Sequence, residues 1–192
     1  MSLVAPVLWR RLDLPGHEAA RLERLGAGWR LAGTAVLAHD GQPCRLDYEV
    51  RCDESWRTRS TTVRGWIGER TVAITLAAGA GGVWHRDGCE QGAVAGCLDV
   101  DLGFSPATNL LPIRRLGLAV GERSPVRAAW LRFPSLALEP LDQTYHRLAE
   151  RSWRYESATG FAVILEVDET GMVIDYPPAW RRAAGRGLRA GP

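Results

Sequence analysis

The chain has 192 residues, and its 24 basic side chains, all arginine, nearly balance 22 acidic ones to give a formal net charge of +2. The absence of lysine excludes enzymes that need a lysine Schiff base, a lysine-anchored pyridoxal phosphate, or a phosphate-loop or kinase lysine. The small net charge gives no reason to expect a nucleic-acid partner.

Alternation of apolar and polar residues dominates the first third of the chain. Residues 45–52 place Leu46, Tyr48, Val50 and Cys52 on one side and charged residues on the other, which is typical of a half-buried antiparallel strand. Turn residues at 39–43 connect this segment to residues 29–38, so we predict a hairpin. We also predict strands at 18–25, before a glycine-rich turn, and at the threonine-rich residues 56–63.

The second half contains another hairpin and one helix. Residues 161–167 and 172–176 flank an Asp-Glu-Thr-Gly turn. Residues 109–116 favour a short helix, with Asn109 or Thr108 as its cap, Pro112 in the first turn and Gly117 at its end. These elements predict a mainly β (β-rich α+β) fold, in which one large antiparallel sheet curls around a core.

The length suits a single domain, which we place at residues 1–182, and residues 183–192 are predicted to form a flexible tail rich in Arg, Gly and Ala. The apolar residues 3–9 precede Arg10 and Arg11, the reverse of the order in a secretory signal. The longest uncharged stretch, residues 71–84, is too short to span a membrane. We therefore expect a cytoplasmic protein without an integral membrane segment.

The four cysteines occur at positions 44, 52, 89 and 97, in two pairs whose members are eight residues apart. Zinc-binding pairs are usually separated by two to four residues. We therefore predict separate free thiols in a reducing compartment, and neither a metal site nor a cofactor.

The stretch from residue 96 to 116 concentrates the candidate chemistry. Asp99 and Asp101 share one face of a predicted strand, with Leu98, Val100 and Leu102 on the core side. Two acids on one face could form an acid–base pair or bind a cation. The alternative that we favour is a structural network in which Arg114 and Arg115 pair with these acids and lock the helix to the sheet.

Two further groups of residues are candidates for ligand binding. Arg57 and Arg59 share a strand face and could bind a phosphate or carboxylate. The alternative is a solvated arginine face that pairs with acids across the sheet, which the general abundance of arginine in this chain favours. The eight tryptophans exceed the usual number, and such rings occupy cores or ligand surfaces. As aromatic candidates for a ligand cleft we name Trp56, Trp84, Trp130, Tyr48, Tyr145 and Tyr176.

No nucleophile motif supports catalysis. The chain lacks a Gly-x-Ser-x-Gly sequence, and its four histidines are scattered without a recognisable base motif. We therefore name no catalytic residue.

A set of segments resembles a bacterial family that was long catalogued as a domain of unknown function and is now described as "putative glycolipid-binding". These segments are residues 96–102, 109–116 with Gly121 and Glu122, 53–59, 142–145, 155–156 and 167–177. The resemblance extends over about residues 7–182. It implies a spiral β-roll with two related halves, similar in shape to periplasmic lipoprotein carriers that hold acyl chains.

The resemblance and the aromatic residues together favour a non-catalytic protein that binds a glycolipid or another small amphiphile. Alternatives are an enzyme that acts on a sugar or phosphoester through Asp99 and Asp101, and an interaction module that forms a homodimer through a sheet edge. The predicted ligand-binding residues are Trp56, Arg57, Arg59, Asp99, Asp101, Asn109, Arg114, Arg115, Tyr145 and Tyr176.

Overall fold

A computed structural model describes residues 2–185, which form one fifteen-stranded sheet and a single short α-helix. The predicted mainly β fold with one short helix is confirmed. The elements are β1 (Ser2–Arg11), β2 (Gly16–Leu25), β3 (Gly28–His39), β4 (Gln42–Cys52), β5 (Thr58–Ile67), β6 (Arg70–Ala78), β7 (Trp84–Arg86), β8 (Cys89–Glu90), β9 (Asp99–Leu102), α1 (Leu110–Leu116), β10 (Arg123–Arg132), β11 (Ala137–Arg147), β12 (Ser152–Ser157), β13 (Ala162–Val167), β14 (Val173–Tyr176) and β15 (Trp180–Gly185).

The sheet consists of two antiparallel meanders, a first one from β1 to β8 and a second one from β10 to β15, and the pairing of β1 with β15 joins them. The prediction of an entirely antiparallel sheet is wrong at one place, because β9 runs parallel to β10. A parallel neighbour requires a crossover connection, and the segment that contains α1 provides it.

The sheet curls so that β9 is covered on both faces, and this curl confirms the predicted spiral β-roll. Val100 and Leu102 face the first meander, where the backbone N–H of Val100 donates to the hydroxyl of Thr58 at 3.0 Å. After β9, the ring of Phe104 packs edge-on against Tyr48 of β4 with 6.0 Å between centroids. The strand therefore lies between two layers, which explains why three of its four residues are buried and only Asp101 is partly exposed.

Both predicted hairpins are confirmed, as β3–β4 and β13–β14. The first turns through Asp40 and Gly41, whose φ angles of 48° and 72° are both positive. An Asp-Gly pair tolerates this conformation, which matches the twist of the flanking strands.

The helix ends as predicted, with Gly117 in the left-handed region at φ 56°, but its predicted cap is wrong. Residues Ala107–Asn109 already form a 3-10 turn, so Asn109 has helical backbone angles and its side chain makes no capping bond. Its Oδ1 instead accepts a hydrogen bond from the Tyr145 hydroxyl at 2.9 Å. The Thr108 hydroxyl accepts the backbone N–H of Leu102 at 3.2 Å, which ties the turn to β9.

Several predicted cleft residues belong to the core instead. Trp84 is fully buried, and its indole N–H donates to the carbonyl of Cys97 at 2.9 Å. Trp9 is equally buried and donates to the carbonyl of Val173 at 2.8 Å, across the junction of the meanders. The four cysteines are free, as predicted, and three of them are buried while Cys89 is exposed.

Residues 183–185 of the predicted tail belong to β15, and residues 186–192 lie outside the described residues. Within residues 2–185, no helix combines the length and apolar character that crossing a membrane would require.

Candidate functional site

A cavity of about 390 Å³ lies against the inner face of the second meander. Strands β1, β9, β10, β12, β14 and β15 and the segment between β9 and α1 contribute to its walls. Its volume lies within the range of about 300–1,000 Å³ usual for small-molecule sites. Its aromatic lining residues are Trp130, Tyr155, Phe161, Tyr176 and Trp180, and its polar ones include Arg11, Asp101, Ser105 and Asn109.

The aromatic rings form one continuous wall. Tyr176 lies 5.8 Å from Phe161 and 6.3 Å from Tyr155 between ring centroids, with edge-to-face geometry in both pairs. Tyr155 in turn packs 5.2 Å from Tyr145, which lies behind the wall. Such contacts fix the rings in place and present a rigid surface to a ligand.

Asp101 is the half-buried acid that lines the cavity. Its Oδ2 accepts a 2.6 Å hydrogen bond from the side-chain amide of Gln143, which also donates to the hydroxyl of Tyr155 at 3.0 Å. Burial raises the pKa of Asp101 to about 6, so it is mostly a carboxylate at neutral pH. Among the described residues, nothing donates to its Oδ1, which leaves an acceptor for a ligand.

Tyr176 adds a hydrogen-bond donor next to this acceptor. Burial, and the nearby charge of Asp101, raise the pKa of its hydroxyl, which therefore keeps its proton. Its hydroxyl has no hydrogen-bonding partner within the described part of the chain.

A second buried acid, Glu18, lies behind the Ser105 side of the cavity. Its Oε1 accepts hydrogen bonds of 2.6 Å from both Tyr48 and Ser105. The side chain is fully buried, and burial raises its pKa to about 7 despite the two hydrogen bonds and the nearby Arg11. Tyr48, a predicted cleft aromatic, thus supports Glu18 and does not line the cavity.

Asp99 and Arg115 form a separate ion pair outside the cavity lining. The guanidinium binds both carboxylate oxygens, with 3.0 Å from Nε to Oδ1 and 2.5 Å from Nη2 to Oδ2. Asp99 is buried, and the pair connects α1 to β9. The two aspartates share a strand face, but they have different hydrogen-bonding partners. The predicted network between helix and sheet therefore describes Asp99, while Asp101 belongs to the cavity.

Trp56 and Arg114 belong to a third cluster. Trp56 stacks on Trp29 with 4.2 Å between ring centroids, and the guanidinium groups of Arg114 and Arg24 lie over the outer faces of the two rings at 5.3 Å and 4.5 Å. This layered arrangement stabilises the chain where Trp56 adopts a positive φ of 66°. It lies apart from the cavity lining.

Arg57 and Arg59 are exposed, and Arg59 pairs with Asp53 at 2.8 Å. Replacing either arginine with alanine should change the free energy of unfolding by less than about 1 kcal/mol, because solvated ion pairs contribute little. Urea denaturation measures this change. A loss of more than about 2 kcal/mol would show a structural role that solvated side chains do not have.

The cavity thus unites three of the predicted ligand-binding residues, Asp101, Asn109 and Tyr176, with Tyr145 directly behind them. Trp130 of the predicted aromatics also lines it. Sequence reasoning missed other polar and aromatic residues in and around the cavity, which include Arg11, Glu18, Ser105, Gln143, Tyr155, Phe161 and Trp180. One signal was present for Glu18, because alternate residues of a strand share a face and Glu18 therefore lies on the same face of β2 as the buried Ala20 and Leu22.

A larger and shallower groove of about 760 Å³ runs over the outer face of β1–β4 and β15. Small side chains such as Ala19 and Ala32 form its floor. Its polar walls pair internally, since Arg30 binds Glu23 and Glu49 at 2.5 Å and 2.7 Å. The smaller cavity, with its unpaired acceptor and donor, is therefore the better candidate site.

Comparison with known proteins agrees with this architecture. A family profile described as "Putative glycolipid-binding" matches residues 6–182. The crystal structure of a DUF1089 family protein from Pseudomonas aeruginosa is similar, with a TM-score of 0.77 and 34% identity, covering 86% of this chain and 91% of that one. No curated protein matches the chain.

Proposed function

This chain belongs to the family described as "Putative glycolipid-binding", and from that premise we propose that its cavity binds the sugar headgroup of a small amphiphile. The supporting observation is the combination of a half-buried carboxylate, Asp101, with the hydroxyl of Tyr176 on a wall of aromatic rings. A sugar offers several hydroxyl donors and acceptors together with apolar ring faces, and this lining complements both.

The polarity of the cavity supports a headgroup in this position better than an acyl chain. Burying an acyl chain against Asp101 would leave a charged oxygen without a hydrogen-bonding partner, which is costly. A sugar hydroxyl would donate to Oδ1 instead, and hydrogen bonds to a charged acceptor are among the stronger ones. In this arrangement the chain of the amphiphile leaves the cavity through its mouth.

Binding of octyl β-D-glucoside below its micellar concentration tests the proposal. Tryptophan fluorescence reports it, since Trp130 and Trp180 line the cavity. We expect saturable binding to the full chain, and Asp101→Asn should weaken it at least about tenfold, which is the effect of losing one hydrogen bond to a charged group. The same variant should unfold at an equal or higher temperature, because it removes a buried charge.

Two further variants make the result specific. Asp142→Asn makes the same change at an exposed site on β11 and should bind as the unmodified protein does. Tyr176→Phe keeps the ring and removes the hydroxyl, so its affinity should also fall. Binding of octanoate but not of octyl glucoside, or unchanged binding in both cavity variants, would contradict the proposal.

A further inference from the structure

Arg11 lines the same cavity and is held rigidly from two sides. Its Nε and Nη2 donate to the two carboxylate oxygens of Asp13 at 2.8 Å and 3.2 Å. The ring of Trp180 packs against the guanidinium at 5.2 Å, and only 11% of the Arg11 side chain is exposed. Little conformational freedom remains to be lost when such a group binds a ligand.

One nitrogen of this fixed guanidinium is left unused. Nη1 of Arg11 is buried, and within residues 2–185 no acceptor lies within hydrogen-bonding distance of it. A buried donor without a partner is costly, and native proteins retain few of them. An acceptor supplied by a ligand in the cavity would remove this cost.

The charges around Arg11 indicate an uncharged acceptor. Asp13 already neutralises the guanidinium, and Glu18 lies close enough to interact with it electrostatically. Asp101 adds a second carboxylate in the same cavity. A phosphate or carboxylate would be repelled by these acids, whereas a carbonyl oxygen would not be.

The strand pairing places Arg11 beside the aromatic wall that is proposed to contact the sugar. Arg11 pairs with Trp180, which pairs with Tyr176, so the three residues form a row across β1, β15 and β14. Asp101 lies on β9 and lines the same cavity. A ligand in the cavity therefore meets the donor Arg11 on the β1 side and the acceptor Asp101 on the β9 side.

We infer that the cavity binds an acylated sugar, with hydroxyl groups at Asp101 and the carbonyl oxygen of the ester linkage at Nη1 of Arg11. This inference rests on the proposed function, because it assigns the second end of the same ligand. The acyl chain continues from the carbonyl group out of the cavity.

A matched pair of probes isolates the carbonyl group. 6-O-octanoyl-D-glucose and 6-O-octyl-D-glucose have the same sugar, position and chain length, and only the first has a carbonyl. We expect the ester to bind the unmodified protein about tenfold more tightly, as one hydrogen bond to a charged donor predicts. Arg11→Met should remove this preference, so that the ester and the ether bind the variant with equal affinity.

The comparison in the unmodified protein decides the inference even if Arg11→Met does not fold. Arg11→Lys provides a second variant, because it keeps the positive charge but loses the planar guanidinium group. It should reduce the preference for the ester over the ether. Equal affinities in the unmodified protein would overturn the inference and leave the proposed function intact, as would a preference that persists in Arg11→Met. Equal affinities for the two probes are the result expected if a buried water molecule, and not the ligand, accepts from Nη1 of Arg11 and donates to Oε2 of Glu18. If neither probe binds, the proposed function fails as well.

Discussion

Replacing Arg115 with methionine should lower the free energy of unfolding by about 3–5 kcal/mol, because it leaves a buried carboxylate without its partner. Asp99 is 1% exposed, and Arg115 donates all of its hydrogen bonds to that carboxylate. Methionine keeps the length of the side chain, so the loss reports the charge and the hydrogen bonds rather than a cavity. Urea denaturation at neutral pH measures it.

Two comparisons identify the cause of this loss. Arg114→Met makes the same change one residue earlier, on an exposed side chain of α1, and should cost far less. The double variant Asp99→Asn/Arg115→Met should recover part of the stability, because the uncompensated charge is gone. If the double variant is as unstable as Arg115→Met plus Asp99→Asn added together, the two residues are not coupled and our assignment is wrong.

Replacing Glu18 with glutamine should raise the free energy of unfolding by about 1–3 kcal/mol near pH 8 and remove much of its pH dependence. The pKa of Glu18 is about 7 in the folded protein against an ordinary value of 4.5. Between these two values the folded state holds a proton that the unfolded state has released. The stability that this proton provides is complete below about pH 4.5 and is lost as the pH rises through 7.

Glutamine is neutral at every pH, and its carbonyl oxygen can still accept from Tyr48 and Ser105. The NH2 group of glutamine takes the place of Oε2, which has no hydrogen-bonding partner in the described residues. Burying this NH2 group without a partner costs free energy, and this cost explains the lower value of the expected increase in the free energy of unfolding. Thermal unfolding from about pH 5 to pH 8 measures both effects, with Glu69→Gln as the control on an exposed turn. A pH profile as steep as that of the unmodified protein would show that Glu18 does not titrate in this range.

The raised pKa of Asp101 makes the free energy of unfolding depend on pH in the same direction, at lower pH than for Glu18. The variant Asp101→Asn measures the part of the pH dependence that comes from Asp101.

The candidate site could be predicted only in part. Asp101, Asn109 and Tyr176 lie in sequence motifs that stand out by composition or by resemblance, and the structure brings them to one cavity. Arg11 and Glu18 lie in ordinary alternating strands far from those motifs. Arg11 reaches the cavity because β1 pairs with β15, and Glu18 lies directly behind it because its side chain bonds to Ser105. Pairings over such sequence distances leave no local signal.

Local patterns by themselves determined part of the secondary structure of this protein. A period of two marked β4, an Asp-Gly turn joined it to β3, and Gly117 ended the only α-helix among residues 2–185. These features depend on neighbours a few residues apart, so they can be read from the chain. Tertiary structure decided what the acids do. Asp99 and Asp101 are two residues apart on one strand, but Arg115 neutralises the first, and the second faces a cavity formed by strands from both ends of the chain. The difference arises because the free energy of a buried charge depends on which distant groups the fold brings to it.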